Sequence, residues 1–250
     1  MELKLKAMRR GCKVRALTVL FLACALAGCP TRPPPPPAEV RAAPPVQPAA
    51  PHAGKPYDVG PAESLLTVLV YRAGALAAAG HNHVIASHTL SGSIYVPDDV
   101  RAASFEVRVA VDALTVDEPG LRAEQGGGDF PPDVSESARE GTRRNMLGPA
   151  LLDAADYPEI VLRSLELAPD PGGAPGSLTA HIDTEVRGQH RTIDMPVRYA
   201  LAGDTLTVTG AAALRQSELG LTPFTALMGA LAVQDEMGIS FRIVAYAAPR

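Results

Sequence analysis

The chain has 250 residues, a formal net charge of −4, 46% apolar residues, only 4% aromatic residues and no tryptophan. A pI near 5.9 gives no general attraction for phosphate backbones, and the one dense basic cluster lies at the extreme N-terminus, so nucleic acid is not an expected partner. All three cysteines, Cys12, Cys24 and Cys29, precede residue 30; the rest of the chain has no disulfide framework and must be stabilised by burying Val, Leu, Ile and Ala.

Lys4, Lys6, Arg9, Arg10, Lys13 and Arg15 lead into an apolar run over 16–28. A basic head before an apolar stretch too short to span a bilayer comfortably is the pattern of an export signal. The run ends in Leu26-Ala27-Gly28-Cys29, which resembles the lipobox of bacterial lipoproteins. That resemblance implies a signal over 1–28 and lipidation at Cys29; a plain secretory signal with a chance cysteine is the alternative. Pro30 is not the aspartate that resembles an inner-membrane retention signal, so the implied address is the outer membrane, facing the periplasm. Residues 29–56 include five consecutive prolines at 33–37 and cannot form regular hydrogen-bonded structure. Extended at about 3.1 Å per residue, they make a tether reaching roughly 80 Å. The folded domain is expected over 57–250.

Short strands are expected at 65–72, 83–96, 104–112, 159–168, 177–187, 192–201, 205–215 and 237–247. In 104–112, Phe105, Val107, Val109 and Val111 share one face, opposite Ser104, Glu106, Arg108 and Asp112, the period-two pattern of a half-buried strand. Between the strands, 125–133 carries three consecutive glycines and two prolines and reads as a mobile loop. Residues 135–152 read as a helix, and 223–231 as a second short one. The connections at 188–191 and 202–204 are too short for a crossover, so neighbouring strands run antiparallel. About eight such strands favour closure into a barrel, which removes exposed edges. The fold class is therefore all-β, an eight-stranded antiparallel barrel with one or two short helices.

The expected inward face comprises Phe105, Val107, Val109, Val111, Ile160, Leu162, Ile182, Leu206, Val208, Phe241 and Ile243. Such a set serves a filled core and an apolar ligand cavity equally well. His81 and His83, in Gly80-His81-Asn82-His83, share a strand face about 7 Å apart. They are candidates for holding a polar head group, or for starting a metal or haem site whose other ligands must come from elsewhere; solvated histidines are the plain alternative. His88 faces the other way, and His181 and His190 read as exposed. Asp112, Asp117 and Asp183 read as surface or loop charges. No nucleophile elbow, zinc-helix motif, phosphate-binding loop or dinucleotide fingerprint occurs, so a binding role is expected and an enzymatic one is not.

Three local patterns then stand in order. They are Leu151-Leu152-Asp153-Ala154-Ala155-Asp156-Tyr157-Pro158-Glu159-Ile160 with Arg163-Ser164; Leu178-Thr179-Ala180 with Arg187-Gly188-Gln189-His190-Arg191; and Glu218-Leu219-Gly220-Leu221 with Leu231-Ala232-Val233-Gln234-Asp235-Glu236-Met237. Together they resemble the YceI-like family of periplasmic lipid- or polyisoprenoid-binding domains. The resemblance implies a lipocalin-like barrel holding an isoprenoid chain, often of a quinone type, and no other cofactor. It implies as partners the lipid itself, the membrane through the anchor, and a membrane redox protein. The sequence departs from the pattern in Leu151-Leu152 for a Phe pair, Glu218-Leu219-Gly220 for Asp-Phe-Gly, and Thr142-Arg143-Arg144-Asn145-Met146 for a His-Leu-bearing run. Two alternatives stand beside the lipid carrier: a filled barrel acting as an interaction lipoprotein, and a histidine-based metal or haem module.

Overall fold

The computed structural model describes residues 53–126, 128–170 and 173–248; the expected signal, Cys29 and the proline-rich segment up to residue 52 lie outside them. The first strand, β1 (Lys55–Val59), begins inside the stretch read as tether. Eleven strands follow: β2 (Leu65–Ala73), β3 (His83–Ser87), β4 (Leu90–Val96), β5 (Ser104–Ala110), β6 (Thr115–Val116), β7 (Glu159–Pro169), β8 (Ser177–Val186), β9 (Gln189–Ala202), β10 (Thr205–Arg215), β11 (Thr225–Ala226) and β12 (Leu231–Ala247). Two helices, α1 (Pro119–Gln125) and α2 (Glu136–Leu147), lie between β6 and β7.

The closed ring runs β1-β4-β5-β7-β8-β9-β10-β12, and β12 returns to β1 through Tyr57↔Ala247 to Val59↔Ala245. Every neighbouring pair is antiparallel. The expected eight-stranded antiparallel barrel is thus the one observed. Beyond β1, the long β12 goes on to pair β2, which pairs β3, which pairs β6. These three strands extend the wall on one side towards one end of the barrel.

This extension exists because the strands around it are kinked. Between β1 and β2 the chain makes a turn at Pro61–Glu63, where the Ser64 hydroxyl donates to the Gly60 carbonyl (2.8 Å) and accepts the Val244 N–H (3.0 Å). A side chain thereby replaces the ladder bond that the kink removes. The segment 83–96, expected as one strand, likewise breaks at His88-Thr89, so that β3 pairs β2 while β4 pairs β1. Gly92 adopts φ 128°, and a Cβ there would stand 2.0 Å from the Glu106 carbonyl oxygen. Only glycine lets β4 lie this close to β5.

Local chemistry accounts for the other elements. In β8, Leu178, Ala180, Ile182, Thr184 and Val186 are buried in strict alternation. The β8–β9 turn is just Arg187-Gly188, both at positive φ (51° and 65°). This geometry follows the right-handed strand twist, and it makes the connection shorter than the expected 188–191. Ser135 caps α2 by accepting the Ala138 N–H (3.3 Å), and the helix stops at Gly148 before Pro149 rather than running to 152. The segment 223–231 holds only a distorted 3-10 turn at Leu227–Gly229 in place of the expected short helix: Thr225 and Ala226 pair with Ala232 and Leu231, leaving a four-residue tip. Leu227 and Met228 there adopt left-handed φ of 50° and 56°, which no continuing right-handed helix accommodates. The loop over 125–133 is tied down by buried Phe130, whose ring meets Tyr71 edge-on at 5.9 Å.

A candidate apolar cavity and its polar mouth

The barrel interior holds a cavity of about 460 Å³. That is within the range of small-molecule sites and answers the question that the strand pattern left open: this core is not filled. Of the expected inward residues, Phe105, Val107, Val109, Ile160, Leu162, Ile182, Leu206, Val208, Phe241 and Ile243 all line it. Val111 does not. It lies just past the end of β5, almost fully buried, where its N–H is held by the Pro158 carbonyl (2.8 Å), and it packs into the core instead.

The polar lining residues are few and unevenly placed. Arg72, His81, His83, Thr142, Asn145 and Gln216 stand near one end, where Val233 pairs with Arg72 and Val70 with His83. The exposed lining residues Arg72, His81, Asn145 and Phe224 belong to the same end, which is therefore the mouth. Helix α2 lies across it, with Met146 buried beneath. Among the described residues, Arg72 is the only Lys, Arg, Asp or Glu in the lining.

At the mouth His81 and His83 come together, ring centroids 6.1 Å apart. His83 is fixed from both sides: Nδ1 lies 2.6 Å from Asp117 Oδ2, and Nε2 lies 3.2 Å from Thr142 Oγ1. Both ring nitrogens of His83 are thus engaged, and among the described residues no group of three or more His, Cys, Asp or Glu side chains stands together to hold a metal ion. His88 instead pairs with Glu118 (3.0 Å), His181 with Asp194 (2.6 Å) and His190 with Asp183 (2.9 Å).

Asp117 is not the loop charge that the sequence suggests. It is fully buried, with a left-handed backbone (φ 53°). Its Oδ1 accepts the Val84 N–H (2.9 Å) and Arg122 Nη1 (2.6 Å), while its own N–H goes to the Val84 carbonyl (2.7 Å). Arg122, 1% exposed, also donates to the Asn82 and Pro131 carbonyls (2.8 and 2.5 Å) and lies 5.7 Å over the Phe130 ring. Burial pushes the Asp117 pKa up, but hydrogen bonds from His83 and the Val84 N–H, with the charges of His83 and Arg122, outweigh it. The carboxyl settles below its ordinary value. This network braces the loops under the mouth and sets the His83 ring. The legible signal for part of it was Glu118-Pro119, proline at a helix start, which places Asp117 just before α1 and Arg122 within its first turn; their burial was not legible.

The segment that folds into these eight antiparallel strands around an apolar hollow also matches a family model. The YceI-like domain matches residues 57–245. The chain belongs to the YceI-like family. No curated protein matches it. Among solved structures, BcnA of Burkholderia cenocepacia is similar at a TM-score of 0.54 and 18% identity, covering 74% of this chain and 98% of BcnA. A polyisoprenoid binding domain from Saccharophagus degradans, implicated in plant cell wall breakdown, is similar at a TM-score of 0.50 and 13% identity, covering 77% and 98%. At such identities these likenesses speak for the YceI-like fold alone.

Proposed function

We propose that this YceI-like protein is a carrier that holds one slim amphiphile, a polyisoprenoid or quinone-type lipid, with its tail in the barrel and its head at the mouth. The observation that carries the reading is the hollow interior: an apolar cavity with most of its hydrogen-bonding groups at one end and Tyr199 towards the other. Each CH₂ moved from water into such a site contributes about 0.8 kcal/mol, so a long tail needs few directed contacts. His81, Thr142 and Asn145 offer hydrogen bonds to a head group, while His83, the other expected head-group residue, has both ring nitrogens engaged and orients Thr142. Arg72, the one fixed charge among the described lining residues, favours a neutral or anionic head over a cationic one. The name of the Saccharophagus domain supports the same ligand class. In this reading the role is binding and not catalysis. Lipidated Cys29 would hold the domain in the cell envelope, at the periplasmic side of the outer membrane, and a quinone-type cargo would be exchanged with a membrane redox protein.

Mass spectrometry of organic extracts tests the reading, on protein purified from its native host. An isoprenoid-type lipid present at near one per protein is the expected result. Protein that is consistently empty and takes up no fluorescent lipid overturns it.

A further inference from the structure

Two uncharged loops project beyond the mouth. The chain carries no Lys, Arg, Asp or Glu from Ala73 to Asn82, nor from Leu221 to Val233, although such residues make up 20% of the sequence. The first stretch is the turn after β2; the second is the β11–β12 hairpin. They meet, because the Leu76 N–H donates to the Ala230 carbonyl (2.8 Å) and the backbone of Gly74 sits against that same carbonyl. Gly74, at φ 88°, leaves no room there for a Cβ, which would lie 2.4 Å from the Ala230 oxygen.

On this joined tip the apolar side chains point outward. Met228 is fully exposed (106%), Leu227 is 63% exposed and Leu76 48%. Their exposure is built into the backbone: Leu227, Met228 and Gly229 are three consecutive residues at positive φ (50°, 56° and 85°). Unstrained turns put Gly, Asn or Asp in such positions; here leucine and methionine are held there, facing water. The tip is also continuous with the cavity, since Phe224 and Leu231 of the same hairpin belong to the lining. An apolar path thus runs from Met228 past Phe224 into the barrel.

We infer that this tip docks the mouth onto a lipid bilayer, with Leu76, Leu227 and Met228 entering the boundary between head groups and acyl chains. The inference rests on the carrier reading, because a water-insoluble tail enters an apolar hollow at least cost when the hollow opens directly onto its source. A bilayer suits the tip better than a protein partner does. The surface offers apolar side chains without charges to fix a register, while the neighbouring Arg72 sits where phosphate head groups would lie. The register also places the mouth opposite the chain's entry. Lys55 pairs with Val96, and Tyr57, two residues on, pairs with Ala247 at the far end of β12, so β1 begins at the pole opposite the tip.

The absence of tryptophan provides a site-specific probe. The full chain carrying Met228→Trp is mixed with vesicles of phosphatidylcholine, with and without phosphatidylglycerol, and compared with Leu201→Trp, an exposed position near the β9–β10 turn at the opposite pole. The expected result is a blue-shifted Met228→Trp emission, quenched by brominated lipid and strongest with the anionic lipid, while Leu201→Trp stays unshifted. Replacing Leu227 and Met228 by Asp should lower the tip's partitioning by roughly tenfold for each side chain. A Met228→Trp emission unchanged on every vesicle, or a Leu201→Trp shift of equal size, overturns the inference. Extracted lipid is measured on the same preparations: loaded protein with a solvent-exposed tip refutes docking alone, and an inserted tip on protein that never holds lipid refutes the carrier reading alone.

Discussion

Removing the Asp117 carboxylate is the sharpest test of how the mouth is held together. In Asp117→Ala the guanidinium of Arg122 stays buried, 1% exposed, with its carbonyl acceptors but no counter-charge. Stripping one partner from a buried ion pair costs about 3–5 kcal/mol. The orphaned Val84 N–H adds a desolvation penalty of about 1–3 kcal/mol if the site cannot relax, so the lower figure of the pair alone is a floor. Against a domain stability of about 5–15 kcal/mol and a urea dependence of about 1–3 kcal/mol per molar, the midpoint should fall by roughly 2 M. Adding Arg122→Met to Asp117→Ala removes the stranded charge and should recover at least half of the loss. Urea unfolding followed by circular dichroism measures both. A loss below about 1 kcal/mol for Asp117→Ala, or no recovery in the double variant, would show that the network is not the brace described above.

The same residue sets an acid limb. Because the folded-state pKa of Asp117 lies below its ordinary value, its contribution is present above that ordinary value, near about 3.9. It is lost as pH falls through the lower, folded one. Urea midpoints between neutral pH and pH 2 should therefore drop less steeply in Asp117→Asn, and parallel curves would contradict the assignment. Gly92→Ala should destabilise by at least about 2 kcal/mol, since its Cβ meets the Glu106 carbonyl oxygen at 2.0 Å in a φ region costly for any other residue; a thermal midpoint unchanged from the parent excludes that. Met228→Gly should raise stability by about 1 kcal/mol by releasing left-handed strain, with reduced vesicle binding as its counterpart. Val208→Trp, projecting into the hollow, should fold normally yet carry less extractable lipid; a large loss of stability would mean that the space beside Val208 is packed.

Alternation alone made much of this protein legible. Residues 104–112 and 177–187 could bury a face only as strands, and short Gly-bearing connections could join them only antiparallel. From this follow the barrel and ten of its lining residues. Local pattern was insufficient where a residue's environment comes from distant chain. Val111 obeys the strand period, yet the strand ends before it and Pro158 claims its N–H. Asp117 looks like any loop carboxylate until Val84, His83 and Arg122 converge on it. The tip at Leu227 and Met228 reads as helix former by composition, but pairing of Thr225 and Ala226 with β12 forces a turn. Whether the inward side chains meet or stand apart was also beyond sequence, because hollow and filled barrels use the same residues. Ring closure by β12 onto β1 decides it: pairing between strands far apart in the chain sets how far the inward faces stand from one another, and here they leave a hollow of about 460 Å³.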